Sequence, residues 1–321
     1  MTVRRWLVTG GVGFIGYHVS RALLSRGDAV RILDDFSDAP YPTAMKRRNA
    51  DDLRREHASV EIAEGSVTDA ARVAPLVEGV DGVVHLAGLA GVRPSFADPA
   101  RYVAVNVEGT ATVMSAAQAT PTAKVFVLAS SSSVYGNATP LPAAEDAPAV
   151  EPESPYAASK RGAELVALSM SRKAPAMRVP ALRFFTVYGP RQRPEMAITL
   201  FMQRMLRDEP IDVFGDGSMR RDFTHVSDIT RGVLAALDGA PAGFRPYNLG
   251  SGSPISLAQL VRSIGEAAGV TPETRHVAVP LGDVEATYAD IARARAELSW
   301  APEVELTRGL ETVRDWVVSS R

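Results

Sequence analysis

Tyr156 and Lys160 lie four residues apart in "ESPYAASKRGAEL". On a helix that spacing puts both side chains on one face, one turn apart. A phenol with a reference pKa of about 10 is a poor base at neutral pH, and a neighbouring ammonium favours its phenolate. Such a pair takes the proton from a hydroxyl while hydride leaves the carbon that bears it. The spacing alone is common and fits a surface helix equally well. Its context is "VLASSSSVYG", where a serine run follows an apolar stretch at 124–129. A serine hydroxyl there is placed to share the substrate proton with Tyr156.

The elements that must carry these residues follow from periodicity. Strand-like runs occupy 3–8, 29–33, 60–63, 82–86, 124–129 and 178–184, and helical patterns lie between them near 14–26, 69–78, 98–118 and 155–172. Ser154 is placed to cap the last helix, with Pro155 at its first position. The runs lack alternation, as strands covered on both faces do. The expected fold class is α/β, a Rossmann-type doubly wound parallel sheet. Its strand ends form the edge where ligands bind. After 186 the rhythm loosens, with helical patterns near 195–207, 227–238, 256–268, 290–298 and 307–318. We expect a dinucleotide-binding domain over 1–185 and a smaller α/β substrate lobe over 186–321, with some chain returning to the first domain.

"WLVTGGVGFIGYHVS" places Gly10, Gly13 and Gly16 between the first strand and the first helix. Glycines there let backbone approach a pyrophosphate at the helix N-terminus. The next strand ends "RILDDFS", and Asp34 stands where an acid accepts hydrogen bonds from a ribose diol. No arginine follows at once to take a 2′-phosphate, so NAD is expected rather than NADP. The cluster Lys46, Arg47, Arg48 reads as a solvated face.

A net charge of −2 leaves no basic footprint for nucleic acid. There is no cysteine, which removes disulfides, thiolate metal sites and a cysteine nucleophile. The histidines (His18, His57, His85, His225 and His276) show no ligand spacing, so no metal is expected. No stretch approaches the about 20 apolar residues of a spanning helix, and the N-terminal apolar run is too short for a signal peptide. A cytoplasmic protein is expected.

Taken together, "GGVGFIG", Asp34, "HLAG" at 85–88, Asn106 in "VNVEGT", "SSSSVYG", YxxxK and "GSMRRDFTHVSDI" at 217–229 resemble the extended short-chain dehydrogenases/reductases of the nucleotide-sugar epimerase type. The likeness runs over essentially the whole chain. It implies Ser131, Tyr156 and Lys160 as the catalytic set. Implied around NAD are Gly10, Gly13, Phe14, Ile15, Gly16, Asp34, Ser66, Val67, Leu86, Ala87, Asn106, Tyr156 and Lys160. Implied on the sugar nucleotide are Ser131, Ser132, Ser133, Thr186, Arg193, Arg221 for the pyrophosphate and Asp283 for the nucleoside ribose. Family members pair through the helix from Pro155 and the one near 106–118. The small residues Ala157, Ala158, Gly162 and Ala163 fit such close approach, so a homodimer is expected. Two positions depart from the family: Ser66 replaces an aspartate at the adenine, and Leu281 replaces a diphosphate-binding arginine.

Within the family, "RFFTVYGPRQRPEMA" at 183–197 is similar to a run in the UDP-glucuronate 4-epimerases. It implies that Thr186 and Arg193 reach the C6 carboxylate of a UDP-sugar acid, and that the product is UDP-galacturonate. Arg191 and Gln192 read as partners of Glu195 or solvent. A UDP-glucuronate decarboxylase and a neutral-hexose 4-epimerase are the enzymatic rivals. A 4,6-dehydratase requires an acidic pair beside the catalytic serine, where this chain has Ser132 and Ser133. An NAD-sensing regulator is the non-enzyme rival, and it has no need of Ser131, Tyr156 and Lys160.

Overall fold

A computed structural model describes residues 3–38, 41–278 and 286–320; Leu281 and Asp283 lie outside them. The seven strands of the main sheet are β1 (Arg5–Thr9), β2 (Ala29–Asp34), β3 (Glu61–Glu64), β4 (Gly82–His85), β5 (Val125–Ser131), β6 (Arg178–Phe184) and β7 (Gly243–Leu249). They pair in parallel in the order β7-β6-β5-β4-β1-β2-β3. The order reverses between β1 and β4, which opens a crevice at the carboxyl ends of the strands.

β4 and β5 are buried along their whole length, which explains their unbroken apolar runs. One face carries helices Phe14–Ser25, Thr43–Glu56 and Val226–Gly239, with a core that includes Trp6, Leu23, Ile32, Leu53, Val127 and Ile229. The other carries Ala70–Val77, Gly109–Ala119 and Pro155–Ser171 over Leu7, Val83, Met114, Phe126 and Val179. A third core, around Ile198, Met202, Ile211, Leu260 and Leu310, joins helices Ala197–Met205, Leu257–Ala268 and Leu306–Ser319.

Two segments of the second half return to the first. β7 extends the sheet beside β6, and helix Val226–Gly239 packs against helix Phe14–Ser25. Pro246 sits in β7 without harm because β7 is an edge strand.

Candidate active site

A cleft of about 830 Å³ runs along the carboxyl edge of the sheet. It gathers Gly10, Gly13, Phe14, Ile15, Gly16, Asp34, Ser66, Val67, Leu86 and Ala87 at one end. Ser131, Ser132, Ser133, Tyr156, Lys160, Thr186, Arg193 and Arg221 line the same space. Asn106 does not line it. That side chain is buried, accepts from the Leu89 amide at 2.8 Å, and donates to the Leu89 carbonyl and the Ser159 hydroxyl at 3.0 and 2.8 Å. Both its amide hydrogens are therefore taken by protein, and it clasps the Leu86–Leu89 stretch to helix Pro155–Ser171.

The glycine loop is built backbone on backbone. A β-carbon at Gly10 would stand 2.7 Å from the Ala87 nitrogen, and one at Gly16 would stand 2.0 Å from the Gly10 carbonyl oxygen. Gly10 also has a φ of +68°, which favours glycine. The helix that opens at Phe14 carries no side-chain cap, so its first amides face the cleft available to an anion. Asp34 ends β2 and is 4% exposed. Burial raises its pKa, opposed by the charge of Lys46 and by the Phe36 amide. These residues fit a dinucleotide: an uncapped helix end for its phosphates and a buried acid for its ribose.

Lys46 corrects the sequence reading. It is 7% exposed, lines the cleft, and pairs with Asp34 and Asp35 at 3.1 Å each. Arg47 of the same cluster does reach outward, to Glu64 at 3.0 Å. Ser66 bonds to the Thr68 hydroxyl at 2.8 Å.

Helix Pro155–Ser171 begins as its sequence dictates, with the Ser154 hydroxyl accepting from the Ala157 amide at 3.2 Å and Pro155 in the first turn. Tyr156 and Ser131 line the cleft together, and the Ser131 hydroxyl favours the ionised phenol. The Ser131 hydroxyl also contacts that of Ser133 at 3.1 Å. Lys160 donates to the Ala129 carbonyl at 2.9 Å. A β-carbon at Gly88 would stand 3.0 Å from its ammonium, so the backbone crowds around that cation.

The electrostatics differ from expectation in one respect. Burial raises the Tyr156 pKa, while the Ser131 hydrogen bond and the charge of Arg193 pull it down. Burial holds Lys160 itself down to about 8, with Glu164 opposing. A further positive charge in the cleft favours the phenolate.

Glu164 continues the Tyr156–Lys160 face by one more turn. It is fully buried, takes Arg183 at 2.8 and 2.9 Å, and accepts from Ser130 at 2.6 Å and Arg161 at 2.9 Å. Ser130 precedes Ser131, so this bidentate pair fixes the strand end that presents Ser131 to the cleft. The Tyr135 hydroxyl, from "VYG", donates to Asn248 at 2.7 Å and accepts from Arg183 at 2.9 Å. Its pKa is pushed up to about 12, chiefly by burial, which makes it part of the scaffold.

In the arginine loop, Arg193 pairs with Glu195 at 3.2 Å, and a β-carbon at Gly91 would stand 3.7 Å from its guanidinium. Arg191 does not pair with Glu195. It bonds to Asn49 and Asp52 and stacks 4.0 Å above the Tyr17 ring. Gln192 is buried and donates to the Val187 carbonyl at 2.7 Å. The described residues hold no group of three or more His, Cys, Asp or Glu fit to bind a metal ion, and no described helix is long and apolar enough to cross a membrane.

Comparison with known proteins agrees with this geometry. A UDP-glucuronate 4-epimerase of Thermodesulfobacterium geofontis is 36% identical over 97% of this chain and 95% of its own. The structure of the Bacillus cereus UDP-glucuronic acid 4-epimerase with UDP-glucuronic acid and NAD superposes with a TM-score of 0.91 at 32% identity, covering 99% of this chain and 100% of that one. A dTDP-glucose 4,6-dehydratase from Streptomyces venezuelae, solved with NAD, reaches 0.90 at 32% identity over 99% and 98%. Fold similarity alone therefore does not separate the reactions, and the side chains in the cleft must. The model of the NAD dependent epimerase/dehydratase family matches residues 6–250, and the chain belongs to that family.

Proposed function

We propose that this protein is an NAD-dependent isomerase that epimerises UDP-glucuronate at C4, giving UDP-galacturonate. The observation that carries the substrate choice is Arg193, which lines the cleft with Tyr156 and Thr186. C4, C5 and C6 are consecutive atoms of the sugar. A hydroxyl at C4 in reach of Tyr156 therefore puts the C6 carboxylate in the neighbourhood of Arg193 and Thr186. The Arg193–Glu195 pair is no obstacle. Glu195 is half exposed, and such pairs contribute only about 0.2–1 kcal/mol.

The roles follow. NAD, when bound, supplies the hydride acceptor and donor at C4, and its positive ring adds the charge that the phenol needs. Tyr156 takes the C4 hydroxyl proton and returns it, with Ser131 sharing the hydrogen bond. Lys160, tied to the Ala129 carbonyl, holds a cation beside them. The 4-keto sugar turns about its phosphate linkage and presents its other face. No net oxidation occurs, so the cofactor stays with the protein.

The keto stage is the hazard, because C5 then carries a carboxylate β to a ketone. If the C5–C6 bond breaks, carbon dioxide leaves, the electron pair enters the carbonyl as an enolate, and C5 later takes a proton. Loss is fastest with that bond perpendicular to the ketone plane. A bidentate arginine keeps the charge on the carboxylate and the group near the plane. In our reading this separates epimerase from decarboxylase. The dehydratase reading finds no acid at Ser132 or Ser133.

We further propose that residues 1–185 form the NAD domain and 186–321 the UDP-sugar lobe, that Arg221 serves the pyrophosphate, and that the protein is a cytoplasmic homodimer. Asp283 is proposed for the nucleoside ribose on the sequence motif alone. Of the small residues first taken as the dimer contact, Ala157, Gly162 and Ala163 pack within the chain. Support for pairing comes instead from Phe96, Val103 and Leu165, exposed on adjoining helices. Purified protein incubated with UDP-glucuronate and analysed for UDP-galacturonate tests the main reading.

A further inference from the structure

We propose that Arg191 is a positioning residue that registers the carboxylate-holding Arg193 against the cofactor-binding half of the protein, so that its loss diverts product toward decarboxylation. The inference rests on the reading of Arg193 given above. Arg191 does not line the cleft, yet more contacts converge on it than on Arg193. Its guanidinium stacks 4.0 Å above the Tyr17 ring, donates to the Asn49 side-chain oxygen, and pairs with Asp52 at 2.6 Å. Its carbonyl accepts from the Tyr41 hydroxyl at 2.9 Å. The preceding carbonyl, of Pro190, accepts from His18 Nε2 at 3.0 Å.

Every one of these anchors belongs to the cofactor half. Tyr17 and His18 lie on the helix that opens at the glycine loop. Asn49 and Asp52 lie on helix Thr43–Glu56, and the Asn49 amide donates to the Val12 carbonyl of the glycine loop at 2.9 Å and to the Tyr41 hydroxyl at 3.1 Å. The arginine loop is thus tied to the turn that faces the dinucleotide.

The backbone shows that the tie bears on Arg193. Arg191 has a φ of +69°, a region disfavoured for any residue with a β-carbon. Something must hold it there, and the contacts at Tyr41, Asn49 and Asp52 do. On the other side, Gln192 is held by the Val187 carbonyl at 2.7 Å and by the Thr199 hydroxyl at 3.0 Å. Arg193 follows directly. If the anchor at 191 is removed, the loop relaxes toward ordinary φ values, and the guanidinium two residues on loses its register with the substrate carboxylate. Tyr156 lies on helix Pro155–Ser171 and loses only the charge of Arg193, so the C4 step slows while the product partition shifts. The expected signature is a change in product partition, not a uniform loss of rate.

The test compares the full-length parent with Arg191→Ala, Arg191→Lys and Asp52→Asn. UDP-glucuronate turnover is resolved by mass spectrometry into UDP-galacturonate and decarboxylated UDP-4-keto-pentose. Calorimetry measures the binding preference for UDP-glucuronate over UDP-glucose. Arg191→Ala should raise the decarboxylated fraction about two- to tenfold and narrow the binding preference. Arg191→Lys keeps the charge but not the fork or the stacking, and should fall between Ala and parent. Asp52→Asn, isosteric and on another helix, should shift the partition in the same direction, and it decides the matter if Arg191→Ala does not fold. Variants that lose rate with partition and preference unchanged would overturn the proposal, since a merely structural arginine behaves that way. A parent that makes no UDP-galacturonate would instead overturn the functional reading, and the binding preference would still judge the linkage.

Discussion

Replacing Arg193 by alanine removes the guanidinium proposed to hold the C6 carboxylate. A hydrogen bond to a charged partner contributes about 1.5–3 kcal/mol, which is roughly ten- to 150-fold in affinity. In the free protein Arg193 is paired with the half-exposed Glu195. Breaking that pair takes back about 0.2–1 kcal/mol, so most of the loss should appear in binding. UDP-glucuronate should therefore bind about two- to 100-fold more weakly to Arg193→Ala, while UDP-glucose, which lacks the carboxylate, should bind the variant and the parent alike. The keto sugar also loses its restraint, and UDP-4-keto-pentose should appear beside a slowed yield of UDP-galacturonate. Calorimetry with both ligands and mass spectrometry of the products read the two effects separately. Equal weakening for both ligands would refute the reasoning. So would parent-like turnover without decarboxylated product.

Other outcomes follow from the same geometry. Tyr156→Phe keeps the ring and loses only the phenolic oxygen, so it should fold, bind NAD and lose nearly all turnover; near-parental rates would exclude the tyrosine as acid and base. Burial depresses Lys160 from 10.5 to about 8, a penalty of about 3 kcal/mol on its charged form. The unfolded chain binds more protons between those values, so stability held back by this lysine returns as pH rises from about 8 toward 10.5. Lys160→Met should lack that pH-dependent gain, which denaturant titrations across the range will read as a shrinking stability difference from parent. Light scattering at micromolar concentration should give a dimer mass, and Leu165→Glu should reduce it to a monomer if the exposed Phe96, Val103 and Leu165 form the contact.

The sheet was legible because its central strands are apolar on both sides. Periodicity placed the strands from β1 to β6 within a few residues and also the catalytic helix. Helix Thr43–Glu56 escaped notice because its inward side is largely polar. Lys46, Asn49 and Asp52 are buried there beside Ala50 and Leu53, and a search for an apolar stripe reads that face as solvent. The same polarity hid the roles of Lys46 and Arg191, whose partners lie far away in sequence. β7 was obscured by Arg245 and Pro246, which an edge strand tolerates. The buried Glu164–Arg183 pair followed from no local rule, although Glu164 stands four residues beyond Lys160 on the same face. The site residues were easier, because glycine spacing, an acid at a strand end and YxxxK are each demanded by local chemistry. Asn106 stands apart, since its side chain is held by Leu89 and Ser159 behind the cleft.

On the proposed mechanism the cleft oxidises C4 of UDP-glucuronate and returns the hydride from the other face without losing the carboxylate. Incubating the purified protein with UDP-glucuronate and resolving UDP-galacturonate, UDP-pentose and UDP-4-keto sugar tests it directly. UDP-galacturonate should form with no net consumption of NAD. Decarboxylated products in place of UDP-galacturonate, or bound cofactor with no turnover of any UDP-sugar, would contradict it.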